Sequence, residues 1–253
     1  MQSPRSILIT GASSGIGEAL ALDYAAPQVF LALTGRDADR LEAVARACRT
    51  RGAQVEARTI DVVDREAMES WLLTMDATQP FDLLIANAGV GLEGDRKLPE
   101  EEAMRGTFAV NIDGVLNTVL PLLPRLRQRR RGQIAIMASL ASFIGLPQAA
   151  AYNGSKAAVR VWGESLRHIL RKDGIEVSVI CPGFVVSRMT ARNRFPMPFL
   201  MGADRAATII RRGLEANRAR IAFPLGTKAG VWLGSALPAR ITDLLLRAGP
   251  AAK

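Results

Sequence analysis

Short runs of aliphatic and β-branched residues alternate along the chain with segments whose apolar positions recur every three or four residues. The runs near 6–10 (SILIT), 29–34, 54–60, 82–86, 133–138, 175–180 and 220–223 predict strands. Between them, Leu41, Val44, Ala45 and Cys48, and again Val159, Trp162, Leu166 and Ile169, fall on one side of a helix. This alternation predicts parallel strands joined by crossover helices: an α/β fold with a doubly wound parallel sheet and helices on both faces. No Ser/Gly-rich linker, low-complexity tract or fixed-period repeat divides residues 1–253, so a single domain is expected. The rhythm breaks at 188–203 (RMTARNRFPMPFLMGA), where two prolines and three methionines predict an apolar loop over a binding site.

With 49% hydrophobic and 23% charged residues the chain is neither a disordered polar segment nor a fibrous repeat. Two cysteines, Cys48 and Cys181, are too few for a disulfide framework, and the single His168 leaves few ligands for a metal. The net charge of +9 raises the question of a nucleic-acid partner, since Arg125, Arg127, Arg129, Arg130 and Arg131 cluster in RLRQRRRG. No aromatic residues interleave that cluster as base stacking needs, so it reads as a solvated helix end and no nucleic acid is expected. No apolar run approaches the roughly 20 residues of a membrane span, and a cytoplasmic protein is expected. The C-terminal stretch, with Leu233, Leu237, Ile241, Leu244, Leu245 and Leu246 amid Lys228, Arg240 and Arg247, reads as core, subunit interface or peripheral membrane contact.

After the first strand comes Thr10-Gly11-Ala12-Ser13-Ser14-Gly15-Ile16-Gly17, followed at once by a helical segment. Glycines at 11, 15 and 17 let the backbone turn tightly and approach a pyrophosphate, while the helix N-terminus offers N–H donors and partial positive charge. Placed between a strand and a helix at the start of a βαβ unit, the pattern meets the context a dinucleotide site requires. The end of the second strand reads the adenosine ribose in such folds, a carboxylate favouring a 2′-hydroxyl and an arginine a 2′-phosphate. Here Arg36 comes first and Asp37 next. Asp37 reads as the N-cap of the following helix, which leaves Arg36 to favour NADP(H) over NAD(H).

The spacing GxxxGxG, then Asn87-Ala88-Gly89, Asn111, Ser139, Tyr152-x-x-x-Lys156 and Pro182-Gly183, in that order, closely resembles the short-chain dehydrogenase/reductase family. The specific match fades by about residue 188, where that family's substrate-determining part begins. The resemblance implies a Rossmann fold with a cofactor-binding and catalytic core over 1–187 and a substrate loop and packing or oligomer segment over 188–253. It implies cofactor contacts at Gly11, Ser13, Ser14, Gly15, Ile16, Gly17, Arg36, Asp61, Val62, Asn87, Ala88, Gly89, Tyr152, Lys156, Pro182, Gly183, Val185 and Ser187. Among these, Asp61 reads equally well as a turn residue, and Ser187 stands where the family often has Thr.

By the same resemblance, Tyr152 is the general acid/base, Ser139 orients the substrate, Lys156 also bonds the nicotinamide ribose, and Asn111 helps carry a proton relay through water. The residue chemistry agrees. Tyr152 and Lys156, four apart on a helix, share one face, and an ammonium beside a phenol favours its phenolate. Asn117 is rejected for the role of Asn111, while Ser142 competes weakly with Ser139 for the hydroxyl role. The chain therefore reads as an enzyme moving a hydride between NADP(H) and a carbonyl or secondary alcohol, the cofactor supplying the hydride chemistry. Phe184 and Met189 beside the expected pocket mouth suggest an apolar small-molecule substrate. A catalytically silent NADP-binding regulator is the alternative, and it would not need the Ser139, Tyr152 and Lys156 set. A homodimer or homotetramer is expected from the family.

Overall fold

The computed structural model describes residues 3–93, 97–147, 149–193, 196–235, 237–238 and 240–241. The expectations placed on Arg194, Phe195, Leu244, Leu245, Leu246 and Arg247 lie outside them. Seven strands, β1 (Ser6–Thr10), β2 (Phe30–Gly35), β3 (Gln54–Thr59), β4 (Leu83–Ala86), β5 (Gly132–Met137), β6 (Ile175–Pro182) and β7 (Arg220–Phe223), fall within two residues of the predicted runs. They form one sheet in the order β3-β2-β1-β4-β5-β6-β7, parallel at every pairing.

The helices are α1 (Gly15–Tyr24), α2 (Ala38–Thr50), α3 (Arg65–Thr78), α4 (Glu100–Phe108), α5 (Gly114–Val119), α6 (Leu123–Arg129), α7 (Ala150–Leu170), α8 (Ala203–Glu215) and α9 (Leu225–Ser235). Because side chains alternate along a strand, each buried strand feeds two cores. Ile7, Ile9, Leu31 and Leu33 face α1, α2 and α8, whereas Leu8, Ala32, Leu84 and Ile136 face α3, α5, α6 and α7. The stripe on α2 is buried as predicted. That on α7 is rotated slightly: Val159 and Leu166 are buried but Ile169 is half exposed, and Gly163 and Leu170 face the sheet instead. In α9 and just beyond it, Leu233 and Ile241 are exposed, so these two positions do not complete the core.

The arginine cluster is not merely solvated. Arg129 and Arg125 reach the buried carboxylate of Asp76 on α3 at 2.7 and 3.3 Å, Arg131 pairs with Asp82 and Arg127 with Asp173. The cluster fastens α6 to α3 and to the N-terminal ends of the strands. Among the described residues one helical run, Glu100–Arg129, is long and apolar enough by composition to cross a membrane, and half of its most apolar window is buried. Its inward residues, Val115, Val119, Leu122 and Leu126 among them, lie on the sheet.

β1 sits between β2 and β4, so the chain's winding direction reverses there. In open α/β sheets, ligands bind outside the strand C-termini at such a switch point. Residues 11–17 and 87–93 meet at this crevice.

Candidate active site

At the crevice the glycine turn is as tight as its sequence demands. Gly11 and Gly15 have φ of 67° and 60°, conformations costly to residues with a Cβ. A Cβ on Gly17 would stand 2.2 Å from the Gly11 carbonyl oxygen, and one on Gly11 would stand 2.8 Å from the Ala88 Cα. The turn is fastened to β4 by Asn87, whose side-chain amide donates to the carbonyls of Thr10 (2.9 Å) and Gly11 (3.2 Å). The Thr10 hydroxyl in turn accepts from the backbone N–H groups of Asn87 and Ala88. Asn87 thus holds the shape of the glycine turn.

Asn111 lies at the centre of a π-helical turn, Ala109–Asp113, between α4 and α5. Such turns often mark functional positions. Its side chain is fully buried: Oδ1 accepts from the Val90 N–H at 2.8 Å, and Nδ2 donates to the Val90 carbonyl and to Ser155 Oγ, each at 2.9 Å. Asn117 instead donates to the Val62 carbonyl, away from the crevice.

Tyr152 and Lys156 project from the first turns of α7 toward the ends of β4 and β5. The Tyr152 ring runs beside Gly91, where a Cβ would meet Cδ2 at 3.5 Å. Lys156 Nζ is buried and donates to the Met137 carbonyl at 2.9 Å, and a Cβ on Gly89 would crowd it at 2.9 Å. Burial pushes the Lys156 ammonium down from 10.5 to about 8. Burial pushes the Tyr152 phenol above its ordinary value, opposed by a hydrogen bond with Ser139. That direction is opposite to the lowering expected from Lys156, because desolvation of the phenolate outweighs any effect of the ammonium in this arrangement. Ser139 caps the short 3₁₀ turn after β5, its Oγ accepting from the Ala141 N–H at 3.1 Å. Ser142 is buried with its hydroxyl toward Cys181.

At the end of β2, Asp37 is the N-cap of α2, accepting from the Arg40 N–H at 3.0 Å and paired with the Arg40 guanidinium. Arg36 is mostly exposed, 4.0 Å from Asp61, which also accepts from the Val63 N–H as a turn residue does. A Cβ on Gly35 would touch Ser13 Oγ at 2.9 Å, so that hydroxyl lies against the end of β2. Val62 is buried under Gly114. Val185 is buried and bridges to Met201, so its side chain faces the core. Ser187 abuts Gly15, but its hydroxyl is drawn into a turn with Thr190. Phe184 and Met189 are half-buried, and Gly183 is tied to the Phe223 carbonyl.

The family model described as short chain dehydrogenase matches residues 5–196, from β1 through the loop after β6. The chain belongs to the short-chain dehydrogenase family. This short-chain dehydrogenase is 37% identical over 246 residues to an uncharacterized oxidoreductase of Myxococcus xanthus, with 97% of each chain covered. It superposes with a TM-score of 0.82 on a Burkholderia phymatum short-chain dehydrogenase/reductase in complex with NAD, at 26% identity over 100% of this chain and 98% of that one. A Sphingobium yanoikuyae short-chain dehydrogenase in complex with NADPH gives 0.79, at 26% identity over 98% and 97%.

Four residues of the short-chain dehydrogenase site escaped the sequence reading. Ser155 links Asn111 to the Tyr152 carbonyl, to which its hydroxyl donates at 2.8 Å; its position between Tyr152 and Lys156 was the available signal. Arg40 stands beside Ser13, Ser14 and Gly15 at the rim of a groove of about 380 Å³, with a buried Nε that has no partner. Thr190 pins the loop after β6. Glu93 accepts from the N–H groups of Ala151 and Tyr152, a contact across 58 residues and more that no local pattern announces.

Proposed function

We propose that this oxidoreductase interconverts a carbonyl and a secondary alcohol with NADP(H), using Tyr152 as proton donor and acceptor. The observation that carries the reading is that one face of α7 presents both Tyr152, its ring beside Gly91, and the buried Lys156, bonded to the Met137 carbonyl two residues before Ser139. The glycine cradle, too tight for any Cβ at 11 or 17, suits a pyrophosphate resting on backbone N–H groups at the start of α1. When bound, the nicotinamide supplies or accepts the hydride. Ser139 holds the substrate oxygen, Tyr152 passes it a proton in reduction, and Lys156, protonated below about pH 8, keeps positive charge near the phenol. The side chain of Asn111 is committed to Val90 and Ser155, so its part in a water relay falls to its main-chain carbonyl in the π turn.

Arg36, mostly exposed at the end of β2, and Ser13, whose hydroxyl lies against that end, support NADP(H), while Asp37, the carboxylate that would favour NAD, is turned to its own helix and paired with Arg40. Arg36→Ala is expected to weaken NADPH binding about tenfold, the worth of one charge-assisted hydrogen bond, and to leave NADH binding unchanged. The half-buried Phe184 and Met189 support an apolar substrate. Exposed Phe108, Leu120, Val161 and Ile169 on α4, the 3₁₀ turn before α6 and α7 support self-association as a homodimer or homotetramer, which light scattering at micromolar concentration tests. The deciding experiment is titration with NADPH and NADH, with a panel of apolar and charged ketones run on the wild type and Tyr152→Phe. Turnover cut at least about 100-fold by the substitution, at unchanged NADPH affinity, supports the reading. Binding of neither nucleotide, or full turnover by the variant, overturns it.

A further inference from the structure

We propose that Glu93 is a positioning residue for Tyr152: its carboxylate caps the start of α7 from the loop after β4 and so fixes the tyrosine against the crevice. The inference rests on Tyr152 acting in proton transfer, as proposed above. Helix α7 opens with Ala149, Ala150 and Ala151, and Ala149, at the N-cap, has no side-chain oxygen to satisfy the free N–H groups of the first turn. Glu93 does so instead. Oε2 accepts from the Tyr152 N–H at 3.0 Å and Oε1 from the Ala151 N–H. A carboxylate at a helix N-terminus is favoured by the dipole, and both bonds are charge-assisted.

A cap carried by a distant loop differs from a local one because it is also a tether. The backbone of that loop is held along its length: Val90 by Asn111 on both its N–H and its carbonyl, and Leu92 by the Thr107 hydroxyl at 3.2 Å. Gly91 passes against the Tyr152 ring between these anchors. Tyr152 is therefore fixed at its N–H by Glu93, at its carbonyl by Ser155 and along its ring by Gly91. Of these, the Glu93 contact joins the β4 loop directly to the turn that bears the tyrosine. Its removal frees Ala150–Tyr152 to fray while Asn111 and Ser155 still hold the next turn.

The test compares Glu93→Ala, the double variant Glu93→Ala/Ala149→Asp, and Tyr152→Phe in the full chain, measuring kcat, KM, the pH profile of kcat/KM, NADPH affinity by nicotinamide fluorescence, and Tm. An aspartate at 149 can accept from the N–H of Ala151 or Tyr152, so it restores a local cap without the tether. Glu93→Ala is expected to lower kcat by about 10- to 100-fold, as a small misplacement of a catalytic group does, with NADPH affinity within twofold and a displaced pH profile. The double variant is expected to recover Tm but not kcat. Unchanged kcat in Glu93→Ala, full recovery of kcat in the double variant, or an equal loss of NADPH binding and kcat would each overturn the inference. Retained turnover in Tyr152→Phe would instead remove the reading beneath it, and the inference with it.

Discussion

Replacing Asp76 by alanine deletes a carboxylate whose side chain is 1% exposed and which accepts four hydrogen bonds: from the Phe81 N–H at 3.0 Å, from Arg125 at 3.3 Å and from Arg129 at 2.7 and 2.9 Å. The two guanidiniums are 34% and 28% exposed, so water reclaims much of what they lose; the Phe81 N–H is left buried and unpaired. Removing one partner of a fully buried pair costs roughly 3–5 kcal/mol, and an unsatisfied N–H alone about 1–3 kcal/mol. With the arginines partly hydrated, the expected loss is about 3 kcal/mol, or a Tm lower by roughly 6–12 °C for a chain of this size. The pH dependence follows from the direction of the carboxyl's shift. Burial pushes it up, but the bonds from Arg129, Phe81 and Arg125 outweigh burial and hold it below its ordinary value. The unfolded chain therefore takes up this proton first as pH falls. The stabilisation is present above about pH 4 and drains away as acid carries the folded group through its lowered pKa. Urea unfolding of wild type and Asp76→Ala at pH 7 and at descending acid pH measures both. A difference under about 1 kcal/mol at pH 7, or one that does not narrow in acid, would refute the account of the arginine cluster as a fastening for α3.

Lys156→Met is expected to abolish turnover and to stabilise the fold at pH 7 by about 1–2 kcal/mol, the relief of burying an ammonium less the lost bond to the Met137 carbonyl. Because the folded pKa is depressed from 10.5 to about 8, that gain should fade as pH rises from about 8 to about 10.5, the folded amine losing its proton before the unfolded one; thermal melts from pH 6 to 10.5 measure it, and a variant less stable at pH 7 would contradict it. Gly17→Ala, with its Cβ 2.2 Å from the Gly11 oxygen, should cost about 1–3 kcal/mol and eliminate NADPH fluorescence enhancement, and normal nucleotide binding would show that the turn is looser than described. A filter assay at two salt concentrations should show no steeply salt-dependent retention of duplex DNA, since four of the five clustered arginines pair with carboxylates.

Strands and cofactor turn were legible because their signals are local: β1, β4 and β5 are short apolar runs buried on both faces, and GASSGIG stands between a strand and a helix. Asp37 was legible as a cap for the same reason. What the sequence withheld are contacts between distant segments, such as Glu93 on α7 and Asp76 beneath Arg125 and Arg129. Nothing in EGDRK marks Glu93 as a helix cap, because the helix it caps begins 57 residues later. The phenol's raised pKa was likewise invisible: four-residue spacing gave the neighbour, but burial, which decides the sign, depends on Gly91, Ser139 and the ends of two strands.

The placement of β1 between β2 and β4 also sets an order in which the site comes into being. The glycine turn leaves the ribosome before Asn87, which clamps it and follows Thr10 by 77 residues. At roughly 5–20 residues per second, the turn waits several seconds for its clamp and longer still for Tyr152. A nascent chain thus carries the turn and its clamp before it carries Ser139, Tyr152 or Lys156, so the part suited to a pyrophosphate is made ahead of the part proposed to move a proton.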